Sequence, residues 1–98
     1  MPQMAPRGFV LNQNFPNPFN PETTFRYRLA ERTHTKLVIY NTLGQQVRVL
    51  TDGNEECGEH SLQWDGRDDA GRALASGVYF YRLTTGDASQ IGKAILLR

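Results

Sequence analysis

Apolar and polar residues alternate along much of the chain with the two-residue period of β-strands. The clearest alternation lies at Thr23–Leu29, where Phe25, Tyr27 and Leu29 are separated by single arginines. A strand of this kind has one buried face and one solvated face, which is basic here. Similar patterns predict further strands at residues 9–11, 35–41, 45–50, 59–64, 76–83 and 88–97.

The strand predicted at residues 76–83 differs from the others because both of its faces are apolar. Tyr79, Tyr81 and Leu83 lie on one face, and the other face carries a valine and a phenylalanine. A strand with apolar side chains on both faces belongs in the middle of a sheet. Tyr79 also stands where immunoglobulin-like domains carry a tyrosine corner, whose hydroxyl bonds to the main chain a few residues upstream.

Two other segments decide where the core and the loops are expected. Residues 88–97 place Ile91, Ile95 and Leu97 on one face, which we expect to lie against the core. Residues 51–58 contain Asp-Gly-Asn, a strong turn signal, and predict a loop.

Prolines interrupt residues 12–21, which hold three of the five prolines in the chain. Proline has no N–H to donate to a sheet, so this segment is predicted to be an extended edge or a loop. Its two phenylalanines, Phe15 and Phe19, are expected to close one end of the core. Residues 1–8 contain the other two prolines and no periodicity, and are predicted to be a linker or a disordered terminus.

The number and spacing of the strands define the fold class. Six or seven short strands, with no helical pattern longer than one turn, predict an all-β protein built as an antiparallel β-sandwich. With a tyrosine corner at Tyr79, the prediction is an immunoglobulin-like sandwich of about seven strands formed by residues 9–98. Cys57 is the only cysteine, so the domain lacks the disulfide of antibody domains.

Composition and charge exclude several classes of function. The 98 residues include 11 lysines and arginines and 10 acidic residues, a formal net charge of +1. The basic residues are scattered, so nucleic-acid binding is not expected. No apolar stretch approaches the length of a membrane span, so membrane insertion is not expected either. We expect a monomer that needs no cofactor.

The turn-rich stretch after Trp64 carries the best candidate metal ligands. Asp65, Asp68 and Asp69 are carboxylates on one loop, which calcium favours. Their spacing does not match an EF-hand loop, because the sixth position from Asp65 is an alanine rather than a glycine. The interpretation that we favour is that Asp65 and Asp68 accept main-chain N–H groups and stiffen the turn.

No set of residues suggests catalysis. The three serines lack the context of a nucleophile, the two histidines lack a second ligand at metal spacing, and no glycine-rich loop is followed by lysine. The protein is therefore predicted not to be an enzyme. A carbohydrate-binding platform stays open as an alternative if at least two of four aromatic rings are exposed on one face, namely Tyr40, Trp64, Tyr79 and Tyr81.

Four motif segments occur in a fixed order along the chain. They are N-P-F-N-P, then V-I-Y-N-T-L-G at residues 38–44, then W-D-G-x-D-x-x-G with S-G-x-Y-x-Y-x-L, and last K-A-I-L-L-R. Together they resemble the C-terminal sorting domains of type IX secretion cargo, which are related to the immunoglobulin-like domain of the flagellar hook-cap protein. Outside the second and last segments, the residues that carry the resemblance are Asn17, Pro18, Phe19, Asn20, Pro21, Trp64, Asp65, Gly66, Asp68, Gly71, Gly77, Tyr79 and Tyr81.

The resemblance implies a non-catalytic module at the C-terminus of a larger secreted protein. It implies that an outer-membrane translocon recognises the domain after its passage through the periplasm of a Gram-negative bacterium. A sortase then removes the domain and attaches the upstream cargo domain to the cell surface.

The resemblance also places the translocon signal in the final strand, which is expected at a sheet edge with a basic face formed by Lys93 and Arg98. The signal residues are Lys93, Ala94, Ile95, Leu96, Leu97 and Arg98.

Two other functions remain open on the sequence. One is a carbohydrate-binding or spacer sandwich within a multidomain secreted enzyme. The other is an assembly domain like that of the hook-cap protein.

Overall fold

A computed structural model describes residues 9–86 and 88–98, so the predicted terminal segment at residues 1–8 lies outside the described part. Every regular element within it is a β-strand, as the period-two patterns predicted. The seven strands are β1 (Phe9–Leu11), β2 (Thr23–Leu29), β3 (Thr33–Tyr40), β4 (Gln46–Glu55), β5 (Gly58–Trp64), β6 (Gly77–Thr85) and β7 (Ala88–Leu96).

The strands form two antiparallel sheets, and the prediction of an immunoglobulin-like sandwich is confirmed. One sheet has the order β1-β2-β5 and the other the order β4-β3-β6-β7. β6 pairs with β3 on one side and with β7 on the other, which is the central position predicted from its two apolar faces. β7 is therefore an edge strand.

The core lies between the two sheets and follows the alternation in the sequence. In β2 the three residues Phe25, Tyr27 and Leu29 are almost fully buried, and the arginines between them are exposed. Tyr79, Tyr81 and Leu83 of β6 face them from the other sheet. Phe25 and Tyr81 meet edge to face, with 4.7 Å between their ring centroids.

The expected loop at residues 51–58 is wrong for most of its length, because β4 continues to Glu55. Gly53 pairs with the buried Thr35 of β3, and its neighbours continue the ladder. The imidazole of His34 lies 2.8 Å from a carboxylate oxygen of Asp52 across the same pair of strands. The chain turns between Glu55, the last residue of β4, and Gly58, the first residue of β5. Gly58 has a φ of +112°, which favours glycine.

The expected buried face of the last strand is also wrong. Ile91 and Leu97 are 56% and 51% exposed, and Ile95 is only half-buried. The face turned toward the core instead carries Ala94 and Leu96, which are almost fully buried.

The tyrosines of β6 explain this choice of face. Gly92 lies opposite Tyr81, and Ala94 lies opposite Tyr79. A Cβ atom added at Gly92 would come within 2.2 Å of the Tyr81 ring, so no larger residue fits there. Small residues on β7 thus leave space for the large rings of β6. Because these residues are glycine and alanine, the alternation of large apolar side chains did not identify the inward face of β7.

Of the two phenylalanines expected to close the core, only Phe19 does so. Phe19 is 1% exposed, whereas Phe15 is 78% exposed. Phe15 exchanges both main-chain hydrogen bonds with Thr24 of β2, at 2.9 and 3.0 Å, which fixes its backbone while its ring lies at the surface.

Replacing Trp64 with alanine should lower the free energy of unfolding by about 3–5 kcal/mol, because the indole is fully buried and its loss leaves a cavity. The matched control is Phe15→Ala, which should change it by less than about 0.5 kcal/mol. Chemical denaturation measures the free energy of unfolding of both variants. It is followed by far-ultraviolet circular dichroism, because Trp64→Ala removes the only tryptophan. Similar losses in the two variants would contradict the packing described above.

Candidate functional site

The N-P-F-N-P segment pairs with the last strand at one edge of the four-stranded sheet. The N–H of Phe19 donates to the carbonyl of Ile95 at 2.9 Å, and the N–H of Leu97 donates to the carbonyl of Phe19 at 2.9 Å. Phe19 thus forms a parallel bridge beside Leu96. Two of the motif segments, far apart in sequence, are held together by main-chain hydrogen bonds.

Side-chain amides extend this pairing toward the middle of β7. The side-chain carbonyl of Asn17 accepts from the N–H of Ile95 at 2.9 Å, and its amide nitrogen donates to the carbonyl of Lys93 at 3.3 Å. The amide of Gln13 donates to the same carbonyl at 2.9 Å. We call the contacts of Gln13, Asn17 and Phe19 with residues 93–97 the clasp.

The ring of Phe19 joins the clasp to the W-D-G segment. Its centroid lies 5.3 Å from that of Trp64, and Trp64 meets Tyr79 edge to face at 5.6 Å. The indole N–H of Trp64 donates to the carbonyl of Arg67 at 2.9 Å, so the buried donor is satisfied. The three rings close this end of the core.

Arg98, which follows the last strand, binds the loop between β5 and β6. Its guanidinium donates to the carbonyls of Leu74, at 2.6 Å, and Gly66, at 2.8 Å, and its main-chain N–H donates to the hydroxyl of Ser76 at 2.8 Å. Hydrogen bonds from a charged donor are the stronger kind. Of the two expected basic groups, Arg98 therefore holds the loop at residues 66–76, and Lys93 lies on the exposed part of β7.

Gly66 has a backbone conformation that favours glycine, and it lies against the end of the last strand. Its φ is +74°, and a Cβ there would lie 2.9 Å from a terminal nitrogen of Arg98 and 3.4 Å from the side chain of Leu96. The first glycine of W-D-G-x-D-x-x-G lets the loop pass close to the end of the last strand.

The aspartates of the loop bind the main chain. Asp65 accepts from the N–H of Arg67 at 3.1 Å. One oxygen of Asp68 accepts from the N–H groups of Ala70, at 3.0 Å, and Arg72, at 2.9 Å. The hydrogen bond from the Arg72 N–H is the main cause that lowers the pKa of Asp68.

This loop is also tied to β4. Arg48 donates to Asp65 at 3.3 Å and to the carbonyl of Arg67 at 3.1 Å, and Asp69 accepts from the N–H of Val49 at 3.1 Å. Within residues 9–86 and 88–98, no three His, Cys, Asp or Glu side chains come together in a way that could hold a metal ion.

The tyrosine corner predicted at Tyr79 is present. Its hydroxyl donates to the carbonyl of Ala75, four residues upstream, at 2.7 Å. Burial raises the pKa of Tyr79, and the positive charge of Arg98 opposes part of that rise. Tyr79, Tyr81 and Trp64 all lie in the core, so of the four rings named for a sugar platform only Tyr40 is near the surface.

Sequence reasoning missed the amides that surround the clasp. Asn14 is 1% exposed, and its amide donates to the hydroxyl of Thr23 at 3.0 Å. Its main-chain N–H lies 3.4 Å from the hydroxyl of Tyr81. The available signal was the run of asparagine and glutamine between apolar residues at 12–17, since a polar side chain next to a core needs a partner.

The profile of the family described as FlgD Ig-like domain matches residues 19–89, well over half of the chain. The chain belongs to this family. None of the curated proteins is significantly similar to it in sequence.

Solved structures show the same fold. PorU from Porphyromonas gingivalis, in a dimeric latent form, superimposes with a TM-score of 0.76 and 23% identity over 96% of this chain. PorZ from the same organism, described as an essential surface component of the type IX secretion system, gives 0.58 and 23% over 93%. FlgD from P. aeruginosa gives 0.61 and 16% over 96%.

The matches cover very different shares of those proteins. The chain spans 10% of PorU and 12% of PorZ, but 77% of the P. aeruginosa FlgD chain. In the part of the chain that the structure describes, no helix is long and apolar enough to cross a membrane.

Gly66→Ala should destabilise the domain by about 1–2 kcal/mol, because alanine disfavours a positive φ and its Cβ would displace Arg98. Gly53→Ala is the control, since nothing lies within 4 Å of an added Cβ there and its φ is not in the left-handed region. Thermal unfolding of both variants tests the contact, and equal melting temperatures would contradict it.

Asp68→Asn should lower the melting temperature at neutral pH and lose that effect in acid. The folded state holds the pKa of Asp68 below its ordinary value of about 3.9. The stability gained from the charge is therefore present above that value and is lost as the pH falls through the lower folded pKa. Melting curves at pH 7 and at about pH 2 measure the change, and a constant difference between the two proteins would contradict the assignment.

Proposed function

We propose that this domain is a non-catalytic sorting module, which directs an attached cargo protein through the outer-membrane translocon of a type IX secretion system to the cell surface. In this proposal a sortase then releases the domain and attaches the cargo. The domain acts as a monomer and binds no nucleic acid.

The observation that carries the proposal is the convergence of the motif segments. Phe19 pairs with the last strand and packs on Trp64, and Arg98 reaches the loop that begins after Trp64. Three segments that resemble sorting domains thus build one structure around residues 93–98. The polar side chains that hold these segments, Gln13, Asn17 and Arg98, bind main-chain atoms, which is the role of groups that fix a fold.

The kind of protein that contains this fold also supports the proposal. In PorU and PorZ a domain of this fold is about a tenth of the chain, and PorZ is described as a component of the type IX system at the bacterial surface. A small module within a much larger protein is the arrangement that a sorting domain requires.

A second candidate is an assembly domain related to that of the hook-cap protein. The family match and the FlgD structures favour it. In that case residues 93–98 serve only the fold, and export does not depend on them.

A reporter fused upstream of this domain should reach the cell surface or medium of a host with a type IX system. The same reporter without the domain should stay in the periplasm. Lys93→Ala with Arg98→Ala should abolish export, while Arg26→Ala with Lys36→Ala, two basic residues outside the last strand, should not. Fractionation and immunoblotting of the reporter measure this.

Circular dichroism must show that the Lys93 and Arg98 variant is folded, because Arg98 also holds the loop at residues 66–76. Periplasmic retention of the unmodified fusion would overturn the sorting proposal and favour the assembly domain. Export of the folded double variant at the parental level would show that these two side chains are not part of the signal.

A further inference from the structure

The clasp shows which main-chain groups of β7 point away from β6. It uses the carbonyls of Lys93 and Ile95 and the N–H groups of Ile95 and Leu97. All are at odd positions, and β7 pairs with β6 without a register shift from Ala88 to Leu96. The alternation of an antiparallel strand therefore also turns Ser89 and Ile91 outward.

These outward groups are not used by the part of the chain that the structure describes. Among residues 9–86 and 88–98, no partner binds the N–H and carbonyl of Ser89, the N–H and carbonyl of Ile91, or the N–H of Lys93. The clasp thus covers only the C-terminal part of this edge. An open edge of this length is a template for an added strand.

The side chains beside the open edge alternate between apolar and basic. Phe80 lies opposite Lys93, and Arg82 lies opposite Ile91, so each apolar residue is diagonal to the other. Ile91 and Phe80 are 56% and 36% exposed. A groove next to them is lined by Tyr40, Phe80, Arg82 and Ile91, and the Arg82 guanidinium lies 5.7 Å from the centre of the Tyr40 ring.

Charge distinguishes between two possible occupants of this edge. A second copy paired antiparallel about Ile91 would bring Lys93 and Arg82 of both copies onto one joined face. In that register Lys93 would lie opposite Ser89 of the other copy and would gain no acidic partner. A segment with an acidic residue beside Lys93 and an apolar residue beside Ile91 matches both side chains.

We propose that Ser89–Lys93 is a docking edge for an extended segment of the outer-membrane translocon, which adds to β7 as an antiparallel strand. The segment carries an apolar and an acidic residue two positions apart, facing Ile91 and Lys93. This inference rests on the proposed sorting function for the identity of the partner. The clasp already uses main-chain groups of residues 95–97, so the docking edge lies on the N-terminal side of it, at residues 89–93.

Two synthetic peptides test the edge in solution. Both are capped at each end; one has the sequence Ser-Thr-Glu-Thr-Val-Thr-Ser, whose antiparallel pairing places the glutamate beside Lys93 and the valine beside Ile91. The other has lysine in place of glutamate. In two-dimensional ¹H–¹⁵N NMR spectra, the glutamate peptide should shift the amides of Ser89, Ile91 and Lys93 most. It should bind about two- to five-fold more tightly than the lysine peptide, the range expected for one cross-strand charge pair.

Two variants separate main-chain pairing from charge. Ile91→Pro removes one outward N–H and no bond to β6, so it should weaken binding of both peptides. Lys93→Glu should reverse the preference between them. Val10→Glu, an exposed apolar residue on the other sheet, is the control and should change neither.

Shifts spread evenly over the domain, or an unchanged preference in a folded Lys93→Glu variant, would overturn the inference. Shifts at residues 89–93 that grow with protein concentration in the absence of peptide would instead make a second copy the occupant. The melting temperature of each variant shows whether it is folded.

The export assay distinguishes failure of this inference from failure of the sorting function. If the unmodified fusion is exported and a folded Ile91→Pro fusion is exported equally well, the docking edge is wrong and the sorting function stands. If the unmodified fusion stays in the periplasm, the sorting function fails, and the peptide experiment alone decides whether the edge accepts a strand.

Discussion

The main-chain pairing between Phe19 and the last strand is the interaction on which the rest of this structure depends. Its two hydrogen bonds, both 2.9 Å, fix the N-P-F-N-P segment along β7 and place the Phe19 ring against Trp64. Trp64 in turn packs on Tyr79, whose hydroxyl holds the chain just before β6. One edge contact thus sets the positions of residues from three distant parts of the sequence.

Much of the fold followed from the sequence because most strands obey a simple alternation. β2 and β6 were predicted with their buried faces, since large apolar side chains occupy three successive inward positions in each strand. β7 was predicted as a strand but with the wrong face inward. Its inward positions hold Gly92 and Ala94, and their fit against Tyr81 and Tyr79 is visible only once the register is known.

The sequence identified the segments that form the candidate site, but it did not show which residues of those segments contact one another. The motif segments marked Phe19, Trp64 and the last strand, and the turn chemistry of Asp65 and Asp68 was inferred from their spacing. The hydrogen bonds of Arg98 to the carbonyls of Leu74 and Gly66 could not be inferred, because they depend on the residue after β7 meeting the loop between β5 and β6. The same holds for the amides of Gln13 and Asn17, whose partners are more than 70 residues away in the chain.

The position of the clasp has a consequence for how the domain folds during synthesis. Phe19 near the beginning of the domain has its partners at residues 95 and 97, so its burial requires a contact of very long sequence separation. Contacts of this kind form late, since a long loop must close first. While the ribosome still holds the last strand, β6 has no neighbour on its outer side and the rings of Tyr79 and Tyr81 lack their cover of small residues. A chain that lacked residues 94–97 would lose the partners of Phe19 and the small residue opposite Tyr79, so the last strand completes the core as well as the sheet.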